Sequence, residues 1–318
     1  MTYEILLFTA GVGVLYFGAE WLVKGSSRLA ASLGVSPIVV GLTVVSMGTS
    51  APELVISVVA SLSGNPDLAI GNVMGSNLAN VGLVLGISAI LRPLHVSTRV
   101  VTREVGVMIF ITVALLPMIW DHHIGRFEGV LLVTMLVFYL TYALRSSKTE
   151  GTEVPHESGE DATQEGGGLS SWTIGRDVGF IVLGVVGLVL GAFVIRESAL
   201  ALAEAMGISE LVIGLTLVSI GTSLPELATC AVAALRNEAD IAVGNILGSN
   251  VFNIAGVLGI TSIISPLEFS PEVVRLEYPA VLAITILMVP IVRHRLVIRR
   301  REGVALLSAY VFLLVFAL

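Results

Sequence analysis

The chain consists of apolar stretches, each about 20 residues long, that alternate with short polar segments. A helix that crosses a bilayer needs about 20 mostly apolar residues, so each stretch predicts a transmembrane helix. Charged residues make up only 13% of the 318 residues, against about 25% in a soluble domain. The sequence therefore predicts an all-α integral membrane protein. About ten spans are expected, near residues 3–23, 36–62, 68–91, 101–119, 127–144, 178–195, 209–235, 241–264, 276–293 and 303–318.

Lysine and arginine residues are distributed unequally between the two sides of this predicted membrane protein. The loops after the odd-numbered spans carry Lys24, Arg28, Arg92, Arg99, Arg103, Arg145, Lys148, Arg176, Arg236, Arg293, Arg295, Arg299, Arg300 and Arg301, whereas the other side carries Arg126, Arg196 and Arg275. Cytoplasmic loops are enriched in basic residues. We therefore expect a multi-pass protein of the inner cell membrane with both termini outside.

One long segment is polar. Residues 146–175 are acidic and rich in Gly, Ser and Thr, and they contain almost no large apolar side chain before Trp172. Such a segment cannot bury enough apolar surface to fold alone, so we interpret it as a flexible cytoplasmic linker. The predicted domains are a first five-helix repeat over 1–145, the linker over 146–175 and a second five-helix repeat over 176–318.

Two pairs of similar segments show that the halves are related. The segment GLTVVSMGTSAPEL at 41–54 returns as GLTLVSIGTSLPEL at 214–227, and GNVMGSNLAN at 71–80 returns as GNILGSNVFN at 244–253. Both pairs have the same offset, 173 positions. Such self-similarity is the mark of an internal repeat. Because five spans separate the two copies, the copies cross the membrane in opposite directions, which is typical of secondary transporters.

Each copy places one carboxylate deep in the membrane. Glu53 and Glu226 are flanked by long apolar runs, and a carboxylate at a span centre costs roughly 2.5–3.5 kcal/mol even on an insertion scale. The spans that contain them, and the spans that follow, carry no Lys or Arg. We therefore expect a bound metal ion to compensate the two charges.

Hydroxyl and amide groups accompany the two carboxylates at helical spacing. The repeats supply Ser46, Thr49, Ser50, Ser76 and Asn80 from the first half and Ser219, Thr222, Ser223, Ser249 and Asn253 from the second. Hard cations such as Ca²⁺ and Na⁺ prefer oxygen ligands. The alternative for each hydroxyl is a bond to its own backbone, and Asn72, Asn77, Asn245 and Asn250 can instead join helices.

Three further residue types have a predicted structural role. Pro52 and Pro225 each precede the glutamate, and a proline inside a helix removes a backbone hydrogen bond, so both segments should be broken helices. Asp67 and Asp240 are expected to cap the following helices. The single cysteine, Cys230, is expected to be a small apolar filler and excludes an intramolecular disulfide framework.

The doubled Gly-Thr-Ser-x-Pro-Glu and Gly-Ser-Asn-x-x-Asn motifs resemble the two alpha-repeats of the cation/Ca²⁺ exchanger superfamily, in its branch of prokaryotic Na⁺/Ca²⁺ exchangers. The resemblance implies that Glu53 and Glu226 are the central ligands of Ca²⁺ and Na⁺. It also implies that further ligands come from Thr49, Ser50, Thr222, Ser223, Ser76 and Ser249. Backbone carbonyls of Ser46 and Ser219 would bind Na⁺ at flanking sites. Asn80 and Asn253 would be the polar pair that lines the centre. The amide at Asn253 disfavours K⁺ co-transport, because an acid at this position accompanies K⁺ use in the K⁺-dependent branch.

These observations predict an electrogenic antiporter that exchanges Na⁺ for Ca²⁺, needs no cofactor, lies in the lipid bilayer and functions as a monomer. The alternatives are H⁺ or K⁺ coupling and a passive cation channel, although channels usually build their filter from several subunits. An intramembrane hydrolase would need a nucleophile with a base in reach, and no predicted span contains a histidine.

Overall fold

The computed structural model describes residues 2–98, 103–150, 171–206, 219–293 and 296–317. In these ranges the chain is almost entirely helical. The helices are α1 (Thr2–Leu33), α2 (Pro37–Thr49), α3 (Ala51–Leu62), α4 (Pro66–Leu91), α5 (Val105–Ile119), α6 (Arg126–Glu150), α7 (Ser171–Ala205), α8 (Ser219–Thr222), α9 (Leu224–Leu235), α10 (Ala239–Ile264), α11 (Val273–Arg293) and α12 (Arg300–Ala317). Each of the ten predicted spans overlaps at least one of them.

The number of membrane spans depends on how the bent and the short helices are counted. Within the described ranges, six helices are long and apolar enough to cross a membrane, or seven if α2 and α3 form one bent span. Helices α5 and α9 are shorter and apolar. The figure of ten spans therefore stays a prediction.

The two most buried long helices are α4 and α10. In their most apolar 18-residue windows, 78% and 83% of the residues are buried inside the protein, whereas α1 has 28%. These two helices carry the Gly-Ser-Asn-x-x-Asn motifs. The repeated motifs therefore form the protein interior, and the outer helices present apolar side chains such as Phe110, Phe138 and Phe193 to the surroundings.

The predicted broken helix is confirmed in both halves. Helices α2 and α3 meet at Ser50 with a bend of 42°, and the backbone of Ser50 has φ −85° and ψ 4°. Ser223 interrupts the second half in the same way, with φ −88° and ψ 6°. Pro52 and Pro225 are then the second residue of the helix that follows, where a missing N–H breaks no helical hydrogen bond.

Helices α4 and α10 contain π-helical turns that the sequence pattern did not predict. One turn covers Asn80–Val84 and the other Phe252–Leu258, so Asn80 and Asn253 both lie where the helical register changes. Another π turn covers Gly41–Val45 in α2. Such turns occur frequently at functional sites of helices.

Helices α1 and α7 pack against each other along their length. A Cβ atom added at Gly18 would lie 2.6 Å from the backbone nitrogen of Leu188, and one added at Gly184 would lie 2.5 Å from that of Leu22. Glycine is therefore required for this close approach of backbones. Both helices are longer than the predicted spans at 3–23 and 178–195, because their polar ends continue the helix.

Two short β pairs join loops of the first half to loops of the second. Strand β1 (Leu94–His95) pairs antiparallel with β4 (Val297–Ile298), and β2 (His123–Ile124) pairs antiparallel with β3 (Leu267–Glu268). Each pair therefore brings together a loop from each repeat.

The predicted linker at 146–175 is partly helical at its ends. Residues 146–150 continue α6, and residues 171–175 begin α7, while 151–170 lie outside the described residues. The predicted capping by Asp67 and Asp240 is wrong. Neither residue precedes its helix, and Asp67 Oδ1 instead accepts a hydrogen bond of 2.6 Å from the backbone N–H of Ser270.

Candidate cation site

The carboxylates of Glu53 and Glu226 lie where the two broken helices resume. Each is the third residue of its helix, α3 or α9, and each has 0% of its surface exposed. The N-terminus of a helix carries partial positive charge, which favours a carboxylate there. This dipole explains why the chain tolerates two buried acids, but it is too weak to neutralise two full charges.

Neither glutamate has a cationic partner in the part of the chain that the structure describes. Both side-chain oxygens of Glu53 and Oε2 of Glu226 are buried without a hydrogen-bond donor among these residues. The two carboxyl groups are also close enough to interact electrostatically, so they repel each other when both are charged. Among the described residues, no basic side chain therefore balances the two carboxylates, as the sequence predicts.

One hydrogen bond connects the glutamate of the second half with the helix break of the first. Ser50 Oγ donates to Glu226 Oε1 over 3.4 Å, and both side chains are buried. Ser50 therefore contributes to the environment of a carboxylate that lies 176 positions away in the sequence. The two repeats thus build one site rather than two separate sites.

Thr49 extends this contact to helix α10. Its hydroxyl donates to Asn245 Oδ1 over 3.0 Å and lies 3.4 Å from Ser249 Oγ. Asn245 Nδ2 in turn donates to Cys230 Sγ over 3.3 Å. Asn245 therefore joins the break between α2 and α3 to helix α9.

A second amide cluster joins α4 and α10 directly. Asn77 Nδ2 donates to the backbone carbonyl of Asn250 over 3.3 Å, and Asn253 Nδ2 donates to Asn77 Oδ1 over 3.2 Å. Asn72 binds within the first half, to the Glu53 carbonyl at 3.3 Å and to Ser57 Oγ at 3.0 Å. Asn72, Asn77 and Asn245 therefore join helices, as their structural alternative predicts, whereas Asn250 Nδ2 donates to the Ile246 carbonyl of its own helix at 2.9 Å.

Several buried oxygen atoms of the predicted site have no donor among the described residues. Each oxygen that is buried without a hydrogen bond lowers the stability of the fold. The accumulation of such atoms in the repeated Gly-Thr-Ser-x-Pro-Glu and Gly-Ser-Asn-x-x-Asn motifs therefore needs a physical reason. They are Glu53 Oε1 and Oε2, Glu226 Oε2, Ser76 Oγ, Ser223 Oγ, Asn80 Oδ1 and Asn253 Oδ1. Carboxylate, hydroxyl and amide oxygens are the ligands of hard cations.

The other predicted site residues divide into three groups. Thr222 and Ser249 are buried, and Ser249 Oγ lies 3.4 Å from Thr49 Oγ1. Ser46 is buried too; its hydroxyl donates to Leu42 O at 2.7 Å, and its carbonyl accepts from the backbone N–H of Ser50 at 2.9 Å. For Ser219 the described backbone lies in α8, while its side chain lies outside the described part.

Sequence reasoning missed the role of Cys230. Cys230 is buried as expected of a filler, yet its thiol accepts from Asn245 and donates to the Ala242 carbonyl at 3.5 Å. The first repeat has Ser57 at the matching position, and Ser57 Oγ donates to the Ala69 carbonyl. The serine in the other copy was the signal that this position needs a donor.

Comparison with known proteins places this geometry in a family. The sodium/calcium exchanger protein family model matches residues 3–145 and 177–318. Inner membrane protein YrbG of Escherichia coli K12 is 36% identical over 287 residues, which cover 88% of this chain and 86% of that protein. The sodium/calcium exchanger MaX1 of Methanosarcina acetivorans is 31% identical, covering 99% and 98%.

The fold also matches solved structures. The sodium-calcium exchanger NCX_Mj, soaked with Na⁺ and Ca²⁺, superposes with a TM-score of 0.82 at 29% identity, over 98% of this chain and 97% of that one. The prediction of an all-α integral membrane protein is therefore confirmed. The resemblance inferred from the doubled motifs is confirmed as well, and this chain belongs to the sodium/calcium exchanger family.

Proposed function

We propose that this protein is a secondary active antiporter that exchanges Na⁺ for Ca²⁺ across the inner cell membrane. The observation that carries the proposal is the pair of buried carboxylates, Glu53 and Glu226, one from each repeat, with three of their four oxygens lacking a donor among the described residues. Relatives named as sodium/calcium exchangers support the choice of ions. No catalytic chemistry or cofactor enters this function.

Charge explains how the two ions would be coupled. The carboxylates contribute −2, which one Ca²⁺ neutralises and two Na⁺ neutralise equally. Both ions would therefore compete for the same pair of glutamates. A site with two bare carboxylates would be held back by the cost of moving dehydrated charge, so only loaded forms would change conformation.

The neutral oxygens supply the remaining coordination. We assign Thr49, Ser50, Thr222 and Ser223 to the centre of the site, beside the two glutamates. Ser46 and Ser219 would contribute backbone carbonyls, and Ser76 and Ser249 hydroxyls, to flanking Na⁺ sites. Asn80 and Asn253 would line the centre. Sites of this kind could hold further Na⁺, which makes the exchange electrogenic.

Alternating access would be provided by the pair α1 and α7. Their glycine-lined contact holds the two helices together as a pair, and this pair would slide past the rest of the protein. The two halves around the glutamates are joined by the Asn77 and Asn245 hydrogen bonds, which favour a fixed site. All of these elements belong to one chain, so we expect a functional monomer.

The orientation follows from the basic residues, with the central linker in the cytoplasm and both termini outside. The β pairs support the alternation of sides on which this assignment depends, but not its direction, because β1 with β4 and β2 with β3 each unite loops that the ten-span topology puts on one side. Inward Na⁺ flow would normally expel Ca²⁺. We also propose that the first repeat ends at residue 145 and that the second begins at residue 176.

The test is ⁴⁵Ca²⁺ uptake into proteoliposomes loaded with Na⁺, K⁺ or choline. We expect uptake driven by internal Na⁺ alone, and its loss in Glu53→Gln, which removes one of the two charges at nearly constant volume. Glu4→Gln, at the outer end of α1, is the matched control and should keep uptake. Wild-type rates in Glu53→Gln would refute the assignment.

The same assay separates the alternatives. Uptake driven by internal K⁺ or by a proton gradient without Na⁺ would establish K⁺ or H⁺ coupling instead. Uptake without any counter-ion gradient would indicate a passive channel.

A further inference from the structure

A polar pocket lies between α1 and the turn that joins α9 to α10. Its volume is about 240 Å³, and it is lined by Glu20, Val23, Lys24, Ser27, Arg28, Arg236 and Glu238. A water molecule occupies about 30 Å³ of liquid. The pocket therefore has room for a group larger than water, and it is separate from the paired glutamates of the transport site.

Both carboxylates of this pocket already have donors. Arg236 binds Glu20 through two hydrogen bonds, Nη2 to Oε2 at 2.5 Å and Nε to Oε1 at 3.1 Å, and Tyr16 OH donates to the same carboxylate at 3.0 Å. Glu238 Oε1 accepts from Ser27 Oγ at 2.7 Å. Neither acid is thus left to serve as the main ligand of a cation.

Two of the three cations lack a carboxylate partner in the described ranges. Lys24 and Arg28 lie one helical turn apart on α1, and no salt bridge to either is found among the described residues. Lys24 Nζ instead lies 5.8 Å from the ring centroid of Phe180. With three cations and two carboxylates, the pocket has a net charge of +1, which a single phosphodiester neutralises.

The pocket lies at the level where the apolar part of α1 ends. Trp21 is 39% exposed and Phe17 is 56% exposed on the preceding turns, and tryptophan is enriched at the membrane–water interface. An acyl chain could therefore lie along α1 while its headgroup reaches Lys24 and Arg28. Basic pockets between transmembrane helices on the cytoplasmic side are suited to anionic headgroups.

We propose that this pocket binds the phosphodiester headgroup of an anionic phospholipid of the cytoplasmic leaflet. Lys24 and Arg28 would contact the phosphate oxygens from α1, and Arg236 would contact them from the end of α9. The lipid would then connect α1 to the turn after α9, beside the existing Glu20–Arg236 contact.

The test measures the melting temperature of the purified protein in detergent with added phosphatidylglycerol, phosphatidylcholine or inorganic phosphate as its choline salt. We expect phosphatidylglycerol to raise the melting temperature of the wild-type protein by about 3 °C, and phosphatidylcholine to have no such effect. The rise should disappear in Lys24→Gln/Arg28→Gln. It should persist in Arg293→Gln/Arg300→Gln, which removes the same charge elsewhere on that side.

Each other outcome counts against the proposal. An equal rise in Lys24→Gln/Arg28→Gln, or an equal rise with phosphatidylcholine, would overturn it. If inorganic phosphate gave the full rise and removed the lipid effect, the source would be free phosphate and not lipid. If the double variant fails to fold, the wild-type protein is measured with phosphatidylglycerol and added choline chloride. Added salt must weaken an electrostatic contact with the headgroup, so an unchanged rise in melting temperature would overturn the proposal.

Discussion

Gly248 on α10 is a position where the addition of a single methyl group should have a large effect. A Cβ atom there would lie 2.6 Å from the Leu42 carbonyl oxygen, 2.8 Å from Leu42 Cα and 2.7 Å from Ser46 Oγ. Ordinary contact begins at 3.4 Å, so α2 and α10 would have to separate by about 0.8 Å. Two of the three atoms belong to backbone, which cannot rotate away.

Gly248→Ala should therefore cost about 1–3 kcal/mol, as other overpacked sites do. We expect the melting temperature of the purified protein to fall by roughly 2–9 °C, measured by intrinsic tryptophan fluorescence. Because the displaced helix also carries Ser249, which contacts Thr49, Na⁺-driven ⁴⁵Ca²⁺ uptake should decrease as well.

Gly106→Ala is the matched control. Gly106 is exposed on α5, and an added Cβ there meets no described atom within 4 Å. Alanine has a better helix propensity than glycine by about 1 kcal/mol, so this variant should be as stable as the wild-type protein or more stable. A Gly248→Ala protein with wild-type stability and uptake would show that the close packing of α2 on α10 is not required.

Three further changes test other contacts. Asn77→Ala removes both amide hydrogen bonds to the second repeat, so the free energy of unfolding should fall by about 1–3 kcal/mol; an unchanged melting temperature would contradict this. Ser50→Ala removes a donor from Glu226, so uptake should need several-fold more Na⁺ for half-maximal rate, and an unaltered Na⁺ dependence would exclude the contact. Glu20→Gln breaks the ion pair with Arg236 at the protein surface, and such pairs contribute about 0–1 kcal/mol to stability. The melting temperature should therefore change little, and a decrease of more than about 3 °C would contradict this expectation.

The central part of the fold could be predicted from the sequence because two independent signals agree there. The proline after Ser50 and the proline after Ser223 both require a helix break, and the copy at an offset of 173 positions repeats it. Apolar length then placed most of the described helices to within a few residues, while residues 209–218 of the span predicted at 209–235 lie outside the described ranges. The ends of α1 and α7 were missed, since polar residues can continue a helix after the apolar face ends.

Other features depend on packing that no local pattern encodes. The π turns beginning at Asn80 and Phe252 change the helical register, and neither residue has a sequence signature for this. Likewise, the asparagines could be assigned to helix contacts as a class, but the partners of Asn77 and Asn245 lie in the other repeat. Their identity required the three-dimensional arrangement.

The β1–β4 and β2–β3 pairs have a consequence for how the molecule can move. Each pair joins a loop of one repeat to a loop of the other through backbone hydrogen bonds, and the predicted ten-span topology would put the two pairs at opposite membrane surfaces. If one half tilted as a rigid body against the other, the hydrogen bonds of at least one of these β pairs would have to break. The two β pairs therefore hold the two repeats together, and we expect motion in the helices that these pairs do not connect.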